Sequence, residues 1–172
     1  MTIVKKRSGA GGFTLVELAV TVAILGVVAT IAVPNFARLM PRVRLGTATQ
    51  TLANGLARAR MSAIAHSLDG EAAFNKNTET YAVAKTVGGV PYMTANLTGV
   101  ADLESVTYKD GSVAPATLQI YANGTTSVPL PRRAMVITLA STDGTHRKRV
   151  LVEATGRIYS EKWAGGTSWV AD

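Results

Sequence analysis

A single carboxylate lies inside the most apolar stretch of the sequence. Residues 13–33 form a run of 21 residues that ends before Pro34, and Glu17 is the only charged residue in it. A helix of that length spans about 31 Å, which is enough to cross the hydrocarbon core of a bilayer. A carboxylate at the centre of such a span costs about 2.5–3.5 kcal/mol, so an intramembrane acid is a functional candidate. The alternative is an interfacial glutamate whose side chain reaches the headgroups.

Histidine and cysteine side chains, which carry much of enzyme and metal chemistry, suggest no site. The chain has no cysteine, so neither a disulfide nor a thiolate metal site can form. His66 and His146 lie 80 residues apart, without a metal-ligand spacing around either one. The sequence contains no nucleophile elbow, phosphate-binding loop or dinucleotide fingerprint. We therefore expect no catalytic residue, no metal and no cofactor, and a chain that is not an enzyme.

The start of the apolar run carries a signature. The six residues from Gly12 to Glu17 read GFTLVE, and three basic residues at positions 5–7 precede them. This stretch closely resembles the type IV prepilin signature. The resemblance implies that a prepilin peptidase cuts after Gly12 and methylates the new amine of Phe13. It also implies assembly with other pilins through the helix up to Pro34, with Glu17 neutralising a neighbour's amine. Such pairing is physically reasonable, because opposite charges in an apolar bundle are tolerated only together.

The flanks of the apolar run bear on topology. An ordinary secretory signal needs a small-x-small cleavage site after the run, and residues 30–32 are a poor candidate. Three basic residues precede the span and three follow it closely, so the positive-inside rule does not by itself indicate the orientation of the span. The resemblance, rather than this count, implies a single-pass protein of the bacterial inner membrane with a cytoplasmic N-terminus and a periplasmic C-terminal domain.

The chain divides into four predicted segments: a leader (1–12), a transmembrane and assembly helix (13–34), an amphipathic helix (35–66) and a β-rich globular domain (67–172). Without the leader's three cations the net charge is +4 rather than +7. Pro34 should kink the helix, and Pro41 should bend or restart it. Apolar residues then recur at helical spacing, which predicts a face that packs on a sheet. They are Phe36, Leu39, Met40, Val43, Leu45, Ala48, Leu52, Leu56, Ala59 and Ala63.

Short β-prone segments follow Ser67. The predicted strands are Thr80–Ala84, residues 103–108, residues 118–121, Ala134–Ala140 and Arg147–Glu153. Asn123-Gly124 and Asp143-Gly144 are turn dipeptides, and the second predicts a hairpin. Residues 85–102 are predicted to form a glycine-containing loop or an irregular edge. The expected fold is α+β and pilin-like: a long N-terminal helix whose second half packs on a small antiparallel sheet.

Several segments resemble the GspH/FimT branch of pseudopilins. The sequence LARARMSAI at residues 56–64 is similar to the corresponding helix of that branch. Residues 118–124, 135–139, 149–152 and 155–158 follow in the order strand and glycine turn, hairpin, and terminal Gly-Arg element. Many major pilins have a C-terminal disulfide loop, and its absence points to a minor subunit. The resemblance implies a minor pseudopilin or pilin that supports protein secretion or pilus biogenesis, in either a type II secretion pseudopilus or a type IV pilus.

A basic cluster is the other feature with chemical content. Arg147, Lys148 and Arg149 are consecutive, and Arg157 follows in the Gly-Arg element. Nearby cations and aromatic residues are Arg132, Arg133, Lys162, Trp163 and Trp169. Such a cluster could bind nucleic-acid phosphates and stack bases, which would make the chain a DNA-binding minor pilin for uptake. FimT-type DNA-binding pilins typically carry Gly-Arg-x-Arg, whereas Tyr159 stands where the second arginine belongs. Strand alternation would also divide the cluster between two faces, so we favour a solvated or partner-binding face.

Overall fold

The computed structural model describes residues 12–130 and 133–172. Apart from Gly12, the predicted leader lies outside these residues, and so does Arg132. The chain forms two compact units, of which the first ends at Arg38 and the second comprises Leu39–Asp172. The break between them falls four residues after Pro34, and the second unit carries every strand described below.

One long helix, α1 (Leu15–His66), contributes to both units. The helix is unbroken at Pro34 and at Pro41, so the expectation of a helix restart at Pro41 is wrong. Each proline removes one backbone hydrogen bond, but its fixed φ of about −65° is itself helical. The neighbouring turns keep their own bonds, and the helix continues.

The part of α1 inside the second unit buries one face. Its buried residues recur every three or four positions, in agreement with the predicted packing face. They are Leu45, Ala48, Thr49, Leu52, Gly55, Leu56, Ala59 and Ala63. The earlier members of the predicted stripe differ, because Phe36, Leu39 and Val43 are 63, 49 and 51% exposed. Leu45 is the first residue of the helix that is fully buried.

Two antiparallel sheets form in the described residues, rather than the single small sheet that we expected. The strands are β1 (Gly70–Asn75), β2 (Thr80–Ala84), β3 (Pro91–Asn96), β4 (Asp102–Tyr108), β5 (Thr117–Ile120), β6 (Ala134–Ala140), β7 (Arg147–Glu153), β8 (Ile158–Gly165) and β9 (Ser168–Ala171). The first sheet has the order β3-β2-β1-β5, and the second has the order β4-β6-β7-β8-β9.

The predicted strands are all present. The bounds of β2, β6 and β7 are those predicted, β4 begins one residue earlier, and β5 both begins and ends one residue earlier. Strands β6 and β7 form the predicted hairpin around Asp143-Gly144, with Ala140 opposite Arg147. The prediction missed β1, β8 and β9. Strand β3 lies in the region expected to be a loop or an irregular edge, and it is an edge strand with a register shift opposite Val83 and Ala84.

Side chains of α1 and of both sheets share one hydrophobic core. In the second sheet, alternate residues of β6 and β7 belong to it: Met135, Ile137, Leu139, Val150 and Val152. The residues between them, such as Val136 and Leu151, form a smaller cluster with Ala134 and Tyr159 on the opposite side. The second sheet therefore has an inner face that packs on α1 and an outer face. The basic residues of β7 are divided between these two faces.

Candidate functional site

Thr14 and Glu17 close the first turn of α1. The Glu17 N–H donates to Thr14 Oγ1 at 3.2 Å, and the Thr14 N–H donates to Glu17 Oε2 at 3.0 Å. The Thr14 hydroxyl also donates to Glu17 Oε2, at 2.9 Å. This reciprocal arrangement is a capping box, which satisfies backbone donors that a helix N-terminus leaves free. Our sequence reasoning missed this role of Glu17 within its own chain, although the T-x-x-E spacing signals it.

Gly12 and Phe13, the predicted cleavage and methylation positions, lie just before this turn. Phe13 is 88% exposed, and no atom lies within 4 Å of the place where a Gly12 side chain would begin. All residues from 12 to 39 are exposed. An 18-residue window of α1 has a mean hydropathy of 2.4, and the helix is long and apolar enough to cross a membrane. The described residues thus leave the apolar surface of this segment uncovered.

Carboxylates from three different segments neutralise the basic residues of β7. Arg147 Nε lies 2.8 Å from a carboxylate oxygen of Glu104 in β4, and Arg149 lies 2.6 Å from Glu161 in β8. Lys148, whose ammonium is near Gly46 of α1, pairs with Asp172. Each of the three cations therefore has a carboxylate partner, and the run adds much less positive charge to the surface than its sequence suggests.

Two tryptophans pack on the same arginines. The guanidinium carbon of Arg147 lies 5.4 Å from the ring centroid of Trp163, and that of Arg149 lies 4.2 Å from the ring centroid of Trp169. The two tryptophans are themselves register partners in β8 and β9. A guanidinium between a carboxylate and an aromatic ring has both its edge and its flat face engaged. The rings that could have stacked on bases are stacked on arginines.

Arg157 does not join this arrangement. It is exposed in the turn between β7 and β8, at the opposite end of the strand pair from Arg147. Its guanidinium carbon lies 5.2 Å from the ring centroid of Tyr159. The tyrosine that stands at the second arginine position of the Gly-Arg element therefore packs against the first. The structure places Arg147 and Arg149 on one face of β7, Lys148 on the other face, and Arg157 apart from all three.

Arg60 ties α1 to both sheets at a junction that the sequence did not reveal. Its Nε donates to the carbonyl of Gly124 at 2.8 Å, in the turn after β5, and its guanidinium also contacts the carbonyl of Thr155, in the turn after β7. Gly156 lies beside them with a φ of +78°. A Cβ on Gly156 would lie 2.0 Å from the Gly124 carbonyl oxygen and 2.5 Å from Arg60 Nε. The glycine of the Gly-Arg element therefore permits a close contact that no other residue could make.

Neither histidine belongs to a cluster of ligating groups among the residues that the structure describes. His66 Nδ1 lies 3.0 Å from the carbonyl oxygen of Ser62, and His146 Nδ1 lies 2.6 Å from the Thr145 hydroxyl. Among the residues that the structure describes, no group of three or more histidine, cysteine, aspartate or glutamate side chains could hold a metal ion. The hydrogen bonds of both histidines are local.

Comparison with known proteins adds two findings. The family profile of the prokaryotic N-terminal methylation motif matches residues 7–33. Among curated proteins, none matches the chain. The motif agrees with the prepilin signature recognised in the sequence.

The fold is similar to that of solved pilin-type structures. The type IV minor pilin FimU of Pseudomonas aeruginosa is 18% identical with a TM-score of 0.50, and the match covers 70% of this chain and 90% of FimU. The minor pseudopilin EpsH from the Type 2 Secretion System of Vibrio cholerae is 13% identical with a TM-score of 0.51, and the match covers 68% of this chain and 95% of EpsH. The expected pilin-like architecture, a long apolar N-terminal helix followed by antiparallel sheets, is confirmed.

Proposed function

We propose that this chain is a minor pilin-type structural subunit, held in the bacterial inner membrane by its N-terminal helix and assembled with other pilins or pseudopilins. One observation carries the proposal: a prokaryotic N-terminal methylation motif at residues 7–33 precedes a pilin-like fold. The uncovered apolar surface of residues 12–39 supports it, because such a surface needs either lipid or neighbouring helices. The proposed segments are the leader (1–12), the transmembrane and assembly helix (13–34), the amphipathic helix (35–66) and the globular domain (67–172). The globular domain lies in the periplasm.

The filament is either a type II secretion pseudopilus or a type IV pilus, and the structural neighbours include one protein from each kind of machine. A deletion strain separates the two. Loss of exoprotein secretion with normal pili identifies the pseudopilus, whereas loss of surface pili with normal secretion identifies the pilus. Restoration by the wild-type gene is the control. A deletion that leaves both processes intact contradicts the proposal.

Processing is tested at Gly12. The proposal requires a prepilin peptidase that cuts after this residue and methylates Phe13. Gly12→Val should leave the leader uncut, because the peptidase needs a small residue there, while Gly12→Ala should still be processed. Intact-mass measurement of membrane-extracted protein distinguishes the two chains. A wild-type chain that keeps residues 1–12 in cells with an active prepilin peptidase contradicts the proposal.

Assembly is tested at Glu17, and the capping box suggests a sharper variant than a simple deletion. Glu17→Gln keeps an oxygen that can accept the Thr14 N–H bond but removes the charge. Glu17→Val removes both. If Glu17 pairs with a neighbour's amine, both variants should insert into the membrane, and both should fail to co-purify with partner pilins, because the amine would be buried unpaired at a cost of several kcal/mol. If Glu17 only caps its own helix, Glu17→Gln should assemble normally, and the pairing role is refuted.

A DNA-uptake role is less well supported by these contacts. Phosphate binding by Arg147 or Arg149 would have to displace the carboxylate of Glu104 or Glu161. Base stacking would have to displace an arginine from Trp163 or from its register partner. Each exchange replaces an existing contact by a new one, so the free energy gained on binding DNA is smaller than it would be for unpaired cations. The geometry supports a surface that stabilises the second sheet.

A further inference from the structure

A cavity of about 310 Å³ lies within the second unit, where the start of its helix faces the ends of β7 and β8. Its size is at the lower end of that of small-ligand sites. The helix side is formed by Leu39, Arg42 and Val43, and the strand side includes Lys148, Lys162 and Trp163. Neither the packing of the core nor the proposed assembly helix accounts for this cavity.

The cavity has an excess of positive charge. Lys148 pairs with Asp172, the only carboxylate among the lining residues, and Arg147 pairs with Glu104 outside the cavity. Arg42 and Lys162 have no ion-pair partner among the described residues. The Asp172 carboxylate pairs with one ammonium of the cavity, so the positive charge that remains unpaired in its lining belongs to Arg42 and Lys162.

One side of the cavity is apolar. Leu39 and Val43 are one helical turn apart and are 49 and 51% exposed, and Trp163 is also among the residues that line the cavity. A free inorganic anion would leave this surface uncovered. A ligand that carries both a phosphate and an acyl chain would satisfy the cations and cover the apolar residues together. Leu39 also follows the last residue of the apolar run, Val33, by only six positions in the chain.

We propose that this cavity binds the headgroup of an anionic phospholipid, with the phosphate on Arg42 and Lys162 and the upper acyl chain along Leu39 and Val43. Asp172 competes with the headgroup for Lys148. The inference goes beyond the proposed structural role and rests only on its membrane anchoring. Its failure would leave leader processing and assembly with other pilins untouched.

Trp163 provides the signal for the test. The chain has two tryptophans, so Trp169→Phe leaves Trp163 as the single indole, at the wall of the cavity. Full-length protein in detergent is titrated with dioctanoyl-phosphatidylglycerol, dioctanoyl-phosphatidylcholine and inorganic phosphate, and Trp163 emission is recorded. In nanodiscs, phosphatidylglycerol or phosphatidylcholine with brominated acyl chains measures quenching of the same indole. Circular dichroism establishes that each variant is folded.

We expect saturable binding of the phosphatidylglycerol probe, with much weaker binding of the other two probes, and stronger quenching by the brominated anionic lipid. Arg42→Gln and Lys162→Gln should each weaken binding about fivefold, the usual effect of one cation near an anionic headgroup. Asp172→Asn should strengthen binding by a similar factor. Lys76→Gln is the matched control, because it removes an exposed cation in the β1–β2 turn outside the cavity, and it should change nothing.

Four outcomes would overturn the proposal. Equal weakening by Lys76→Gln would show general attraction to a negative surface. Inorganic phosphate binding as tightly as the lipid probe would show a simple anion site. Absence of any saturable Trp163 response to phosphatidylglycerol would show that no lipid enters the cavity. Displacement of the lipid probe by an acidic peptide at lower concentration than by lipid itself would assign the cavity to a protein partner.

Discussion

Gly156 offers the clearest test of how α1 and the two sheets are held together. Its φ of +78° lies in the left-handed region, where a side chain costs about 1–2 kcal/mol. A methyl group would also lie 2.0 Å from the Gly124 carbonyl oxygen and 2.5 Å from Arg60 Nε. Relief of such overlap by backbone shifts costs about 1–3 kcal/mol. Gly156→Ala should therefore destabilise the second unit by about 2–5 kcal/mol.

The assay is urea unfolding of the Leu39–Asp172 fragment, followed by circular dichroism and tryptophan emission, once the wild-type fragment is shown to unfold cooperatively. Gly144→Ala is the matched control, because its φ is +68° and nothing lies within 4 Å of the added methyl. This control should lose only about 1–2 kcal/mol. If the two variants lose the same free energy, the close contact between Gly156, Gly124 and Arg60 does not constrain the fold, and the reasoning is refuted.

Three other predictions concern a buried hydroxyl, an exposed carboxylate and the basic residues. The Tyr81 hydroxyl is buried without a hydrogen-bond partner among the described residues. Tyr81→Phe should therefore leave the free energy of unfolding unchanged or raise it by about 1 kcal/mol in urea titrations. A clear loss of stability would show that the hydroxyl does have a hydrogen-bond partner. Hydrogen bonds from the Ser141 hydroxyl and from Thr145 lower the pKa of Asp143 from 3.8 to about 2. The contribution of Asp143 to stability is therefore present above pH 4 and is lost as the pH falls toward 2. Asp143→Asn should flatten this part of the profile of stability against pH, and an unchanged profile would contradict the lowered pKa. Alanine at all three positions 147–149 should not alter DNA binding at about 0.15 M salt. The DNA-binding role would be established if the wild type bound tightly and the slope of log affinity against log salt concentration flattened by roughly 0.9 per lost contact in the triple variant.

The elements that were predicted correctly are those whose own composition or spacing of apolar residues indicates a strand or a helix. Strands β6 and β7 are rich in valine, isoleucine and leucine, and their predicted bounds are those of the structure. The helix face from Leu45 onward repeats at helical spacing for the same reason. Strand β1 reads GEAAFN, without a single β-branched residue, and it is a strand because β2 and β5 pair with it on both sides. Such pairing is a property of the tertiary structure, which single-sequence patterns do not contain.

The site was harder to predict, because its partners are distant in the chain. Glu104, Asp172 and Glu161 lie 43, 24 and 12 residues from the cations that they neutralise. No local pattern indicates such pairs, so a run of three cations looked more positive than it is. The capping box is the opposite case, since Thr14 and Glu17 are three residues apart and the signal was present. The resemblance to prepilins implies a role for Glu17 toward a neighbouring chain, whereas the T-x-x-E spacing indicates its role within its own helix.

The capping box engages only one of the two carboxylate oxygens of Glu17. Both bonds from Thr14 reach Oε2 of Glu17, and Oε1 accepts none from the described residues. A carboxylate has about four acceptor positions, so an incoming ammonium could bind Oε1 while the cap stays intact. The same bonds hold the side chain in one orientation before any partner arrives, which reduces the entropy lost when it is captured. The Glu17 side chain that caps the start of its own helix would thus already have the orientation in which a neighbour's amine could bind it.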